Sequence, residues 1–249
     1  MKKLNLEEVY EFVETNISLF HQQRLDYVTK KINLDKILEQ KNPYLFRAKN
    51  VITAHDLIKG FLDAFLQSQE ETFFGNFMES LAIFVADKVF VAKKMPKKSG
   101  MDLQFESEDV MYVVEIKAGW NWGNASQIKQ LKINAKSAKE KLESETDKTI
   151  MILNGCCFGK KKNTKPEEDG YYKVCGQEFW QLISNDENFY IKIIEPIGHK
   201  AKQRNEEFDE AYGILINKFT VDFANRFCDN GKINWEKLLI FNSGKVHKK

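Results

Sequence analysis

Three features of the sequence predict an α/β fold. Residues 100–158 read as strand, strand, helix, strand: the hairpin GMDLQFESEDVMYVVEIKAG, a helix through SQIKQLKINAKSAKEKL, and the apolar run KTIMILNGCCF. The first 85 residues carry apolar positions at helical spacing, and the pattern becomes mostly helical again from Lys200. Strands and a helix alternating in the middle, with helices before and after, make one α/β domain with helical additions.

Each element has a local reason. In LEEVYEFVETNISLFHQQRLDYV, Val9, Phe12, Val13, Ile17, Leu19 and Phe20 recur roughly once per helical turn. A second helix covers Leu34 to Gln40, with Asn33 as its cap, and stops before Asn42-Pro43. Thr53 or Asp56 caps the next, whose wide apolar face is Leu57, Ile58, Phe61, Leu62, Phe65 and Leu66. A separate helix from Phe73 to Val85 carries Phe77, Leu81 and Phe84 on one side, with Glu79 among them. Lys93 to Lys98 reads as a basic loop leading into the hairpin. Beyond KTIMILNGCCF come the polar loop GKKKNTKPEEDG, a short strand YYKVC and a helix around GQEFWQLI.

Composition narrows the function classes. Apolar residues make up 43% of the 249-residue chain and charged residues 30%, which suits a folded globular protein and not a disordered one. Net charge is only +2, so a nucleic-acid surface must come from clustering of charge. No apolar run is long enough to span a bilayer, and MKKLNLEEVYEF lacks the apolar stretch of a secretory leader. Cys156, Cys157, Cys175 and Cys228 show no zinc-ligand spacing, and the adjacent Cys156-Cys157 reads as small apolar residues in a strand of a reduced, cytoplasmic protein. His55 and His199 stand at no metal spacing and read as ordinary polar partners.

The hairpin carries the chemistry. Glu115 and Lys117 lie in an apolar strand, where an ion pair is costly to desolvate. Strand alternation puts both on the face of Met111 and Val113. A turn near Ser107-Glu108 sets Asp102 opposite Val113, with Glu115 as its diagonal neighbour on the same face. Two carboxylates then converge beside a lysine. Hard oxygen ligands of this kind suit Mg²⁺ with a phosphate substrate. The lysine can orient or deprotonate a water, stabilise charge on phosphorus, and offset repulsion between the acids.

Asp102 followed by Glu115-Ile116-Lys117 on the next strand resembles the PD-(D/E)xK nuclease superfamily, although Met101 stands where proline often precedes the aspartate. The resemblance implies a central mixed β-sheet flanked by helices, with Asp102, Glu115 and Lys117 catalytic. It also implies metal ligation by Asp102, Glu115 and the Ile116 carbonyl, with Glu79 on the upstream helix as a further acid, and Mg²⁺ as cofactor, replaceable by Mn²⁺. Residues 1–72 then form a helical dimerisation and DNA-clamp region, and 73–249 the nuclease core with a helical extension.

Around the hairpin, Asn121, Asn124, Ser126 and Gln127 open the lysine-rich helix, where Asn124 or Ser126 can cap it and free N–H groups can meet a phosphate. Lys129, Lys132, Lys136 and Lys139 form a stripe that is either a solvated face or a phosphate footprint. Lys93–Lys98 and Lys160–Lys165 are further basic clusters, and Trp120 and Trp122 are assigned to the core.

NPYLF at 42–46, the helices of 53–85, the hairpin, the lysine helix and GQEFW at 176–180 occur in an order that resembles type II restriction endonucleases, nearest those cutting interrupted GG-N-CC sites. That resemblance implies a homodimer on palindromic double-stranded DNA, with the N-terminal helices supplying much of the interface. It further implies 5′-phosphate and 3′-hydroxyl ends, and a cognate DNA methyltransferase protecting the host. Base-reading candidates are polar residues of 158–170 and 196–205. A structure-selective repair or junction nuclease of the same fold, and a non-catalytic DNA-binding protein, are the competing classes.

Overall fold

Capping and packing set the helix boundaries in the computed structural model, which describes residues 2–161 and 170–245. Helix α1 (Leu6–Asp26) buries Val9, Val13 and Ile17 at every fourth position. Leu19, out of phase with that row, is 57% exposed and does not belong to the expected stripe. A π-helical turn over Tyr27–Lys31 follows. Helix α2 (Leu34–Gln40) is capped by Asn33, whose side chain accepts the Lys36 N–H, and α3 (Pro43–Ala48) by Asn42 with proline at its start.

Helix α4 (Ala54–Val89) is one continuous 36-residue helix, not the two expected. The polar stretch LQSQEET between the two apolar faces contains neither glycine nor proline, and its glutamines and glutamates are good helix formers. Thr72 Oγ1 donates to the Ser68 carbonyl at 3.0 Å, so its hydroxyl is satisfied within the helix. The change in polarity marks a change of face and not a break. Thr53 is the residue whose side chain accepts the Asp56 N–H at its start.

Next come β1 (Lys93–Lys94), β2 (Leu103–Ser107), β3 (Val110–Gly119), α5 (Ala125–Glu143), β4 (Thr149–Phe158), β5 (Tyr171–Cys175) and α6 (Gln177–Ser184). Two short helices, α7 (Phe189–Lys192) and α8 (Ile194–Ile197), precede α9 (Ala201–Phe227), the two-residue strands β6 (Cys228–Asp229) and β7 (Lys232–Ile233), and α10 (Trp235–Ser243). No helix among the described residues is long and apolar enough to cross a membrane.

The chain divides into two compact units: Met1–Ser18 with Phe74–His199, and Leu19–Phe73 with Lys200–Lys249. The second is helical apart from the β6–β7 ribbon. Its core joins Leu38, Phe61 and Leu62 to Phe219, Phe223 and Leu238, with Phe46 edge-on to Phe61 at 4.5 Å. Asn242 Nδ2 donates to the Leu38, Glu39 and Lys41 carbonyls, satisfying acceptors that the end of α2 leaves open.

The first unit holds a five-stranded mixed sheet in the order β1-β2-β3-β4-β5, antiparallel from β1 to β3 and parallel from β3 to β5. Part of the expected basic loop, Lys93-Lys94, is the edge strand β1. A short edge carrying lysines resists pairing with other chains. Helix α5 covers one face of the sheet, where Met111, Val113, Ile152 and Tyr171 pack on Leu131, Ala135 and Leu142. On the other face Phe179 of α6 lies so close to Gly155 that a Cβ there would meet its ring at 2.3 Å. Strand β4 is thereby buried from Ile152 to Cys157, which explains its mostly apolar run.

Candidate active site

The β2–β3 register decides where the acids fall. Leu103 pairs with Val114 and Ser107 with Val110, so the turn is Glu108-Asp109, one residue later than expected. Glu108 takes a left-handed conformation (φ +53°), which sequence alone does not advertise for a glutamate. Asp102, just before the first paired residue, is therefore carried along β3 to the level of Val114–Ile116 instead of Val113.

Asp102 lies one residue outside β2. Its N–H donates to the Val114 carbonyl at 2.9 Å, and its Oδ2 accepts the Ile116 N–H at 2.7 Å. The side chain thus stands in for a ladder carbonyl, which fixes the carboxylate against the backbone of Glu115-Ile116-Lys117. Glu115 is held from the other side, where Lys117 Nζ approaches its Oε1 at 2.9 Å. The Glu115 Oε2 is buried without a hydrogen-bond partner.

Burial raises both carboxyls above their ordinary pKa. For Asp102 the Ile116 N–H opposes that rise, nearby Glu79 adds to it, and Lys117 and Lys94 oppose it. For Glu115 the Lys117 ammonium opposes the rise and the charge of Asp102 adds to it. A pair of acids that repel each other in a partly dry setting, with one oxygen unsatisfied, is a donor set suited to a hard cation. Glu79 lies near enough for Asp102 to feel its charge, and its Oε1 pairs with Lys94 at 3.3 Å. Among the described residues no group of three or more His, Cys, Asp or Glu side chains is placed to hold a metal ion. The closely assembled groups are Asp102, Glu115 and Lys117.

Strand β4 supplies a residue the sequence reading passed over. Asn154 sits opposite Glu115, is 1% exposed, and donates through Nδ2 to the Glu115 carbonyl at 3.3 Å. Its Oδ1 accepts the Trp122 indole N–H at 2.9 Å. The Trp122 ring in turn lies 4.7 Å from Lys117 Nζ. An amide isolated in TIMILNGCCF was the available signal. Trp120, expected in the core, is instead 44% exposed. Its carbonyl accepts from Lys173 of β5, and Gly159 packs directly on its side chain.

The start of α5 is closed by a capping box. Asn124 Oδ1 accepts the Ser126 and Gln127 N–H groups, and Gln127 Oε1 accepts the Asn124 N–H. Those N–H groups are therefore satisfied within the helix, although Asn121, Asn124, Ser126 and Gln127 are all exposed. Lys129 and Lys136 are exposed and Lys132 half-buried. Glu140 stands 3.8 Å from Lys136 and Glu143 3.8 Å from Lys139, weak exposed pairs that a phosphate can displace. Of the base-reading candidates, 196–205 spans the end of α8 and the start of α9, whereas 162–169 lies outside the described residues, as does most of Lys160–Lys165.

Helix α5 also reaches the turn before Asp102. Gly100 adopts φ +66°, and a Cβ there would meet Asn134 Nδ2 at 1.9 Å. Gly100→Ala is expected to lower stability by about 1–3 kcal/mol in urea unfolding, and to slow cleavage by displacing the carboxylate two residues on. Unchanged stability would mean that α5 does not pin this turn.

A family model of the Type II restriction endonuclease EcoO109I matches residues 7–205 of the chain. No curated protein matches it.

Proposed function

The chain belongs to the Type II restriction endonuclease EcoO109I family and is a site-specific deoxyribonuclease acting on DNA, and from that premise we propose that Asp102, Glu115 and Lys117 hydrolyse the phosphodiester with Mg²⁺. The buried, unpartnered Glu115 Oε2 beside a second raised carboxyl is the observation that carries this reading. Asp102, Glu115 and the Ile116 carbonyl would hold the ion, and Glu79 would join them by leaving Lys94. A cation bound there would polarise a phosphoryl oxygen and acidify water.

The protein groups have distinct tasks. Asp102 is oriented by the Ile116 N–H, so its free oxygen has a fixed direction. Lys117 offsets the repulsion between the acids and presents an ammonium to water or to a phosphate oxygen. The exposed Lys129 and Lys136 and the half-buried Lys132 of α5, with Asn121, Asn124, Ser126 and Gln127, are proposed to follow the DNA backbone.

Cleavage would leave 5′-phosphate and 3′-hydroxyl ends at a short interrupted palindrome of the GG-N-CC kind. A homodimer reads a two-fold site with one active centre per strand, and a cognate methyltransferase would protect host DNA. Digestion of unmethylated phage DNA is expected to give discrete bands with Mg²⁺ and none with Ca²⁺, and run-off sequencing of the bands defines site and ends. Cutting that is indifferent to the divalent ion, or a smear, would overturn this reading.

A further inference from the structure

We propose that Trp122 is a positioning residue for Lys117, holding the ammonium in place through its ring face while Asn154 holds the ring. The inference rests on Lys117 being catalytic and extends that reading to two residues outside the carboxylate–lysine set. A lysine carries its charge on a flexible four-carbon stem, so its position must be imposed from outside. Glu115 Oε1, at 2.9 Å, constrains one side of the ammonium, and the Trp122 ring, 4.7 Å away, constrains another.

These two restraints are not equivalent. The Glu115 oxygen is itself a proposed metal ligand, so a cation and the ammonium compete for the same lone pairs. The indole face offers no lone pair to a metal and keeps its hold on Lys117 when the carboxylate is recruited. The ring needs an anchor of its own, and its N–H donates to Asn154 Oδ1 at 2.9 Å. Asn154 is buried to 1% exposure and uses its Nδ2 on the Glu115 carbonyl at 3.3 Å. One neutral amide, donor and acceptor at once, therefore ties the strand bearing Glu115 to the ring that holds Lys117. A leucine at 154 would do neither, and an aspartate could only accept.

The test compares Trp122→Leu, which keeps apolar bulk, with Trp122→Phe, which keeps a ring face. Single-turnover cleavage with Mg²⁺ by the leucine variant is expected to fall about tenfold or more, with Ca²⁺-supported DNA affinity within about threefold of wild type; phenylalanine, which keeps the ring face but loses the N–H to Asn154, is expected to recover only part of the rate. An independent readout needs no turnover. In metal-free protein labelled at lysine Cε, one methylene signal is expected upfield from ring shielding, absent in Lys117→Ala and returned to the ordinary position in Trp122→Leu. If leucine does not yield folded protein, Trp122→Met takes its place.

Wild-type cleavage by the leucine or methionine variant, or an unshifted lysine signal in the wild type, overturns the positioning role. Should Lys117→Ala itself cut at the wild-type rate, the catalytic assignment of Lys117 is what fails. A dead Lys117→Ala beside a fully active Trp122→Leu rejects the present inference alone.

Discussion

Lys117→Ala is expected to lower single-turnover cleavage by about 10²–10³-fold or more while Ca²⁺-supported DNA binding stays within about threefold of wild type. The reason is positional. Lys117 lies on β3 two residues beyond Glu115, its ammonium on the Glu115 carboxylate and near the Trp122 ring, with its side chain still 31% exposed. That exposure leaves it accessible to a phosphate, whereas in the proposed reading affinity for the duplex is spread over the basic residues of α5 and neighbouring loops. One cation among many changes binding little. The same cation beside the reacting phosphorus changes the barrier directly, because charge grows there only in the transition state. Cleavage by Lys117→Ala at near the wild-type rate would remove Lys117 from the chemistry. A parallel loss of binding and cutting would make it a docking contact.

What could be read from the sequence was local. The Asn33 cap, the bounds of α2, Asn124 as one of two candidate caps of α5 and the apolar run of β4 each depend on residues within a turn or a strand, and all are present. The acid-x-lysine of β3 with an aspartate on the preceding segment was likewise visible, because strand alternation alone gives Glu115 and Lys117 a common face. The register was not, since a single left-handed residue, Glu108, moves the turn by one position and Asp102 by two along its partner. The junction of two apolar helical faces into α4 was missed for the opposite reason: a change of exposed face imitates a loop in composition, and only backbone satisfaction tells the two apart. The Trp122–Asn154 contact joins residues 32 apart through the parallel pairing of β3 and β4, which no local pattern encodes.

Glu115→Gln is expected to abolish cleavage and yet raise the thermal stability of the metal-free protein at pH 8. Glu115 has one buried oxygen without a partner and a carboxyl raised first by burial, the neighbouring Asp102 charge adding to that effect. The sign follows from linkage. Below the unfolded-state pKa, about 4, neither state is ionised at this position and folding bears no penalty. As pH rises, the unfolded chain ionises first and the fold loses relative stability. Above the raised folded-state value the whole penalty is present. Asp102, raised mainly by burial and further by Glu79, acts in the same direction. Glutamine keeps an acceptor for Lys117, 2.9 Å from Oε1 in the wild type, and removes the buried charge. What the substitution removes is the cost of holding a charge in a partly dry strand, and a chain of this size gains about 2–4 °C per kcal/mol. Ca²⁺ or Mg²⁺ should reverse the order by stabilising the wild type through binding while leaving the glutamine variant nearly unmoved. Calorimetry at pH 5 and pH 8, with and without the ion, reads all of this. A glutamine variant that melts below the wild type at pH 8 without metal, and that responds to the ion as the wild type does, would make Glu115 an ordinary partner of Lys117. The acids of β2 and β3 would then have no cation to explain their placement. With the opposite outcome, the hairpin tolerates Glu115 beside Asp102 because the folded protein is completed by the ion they bind.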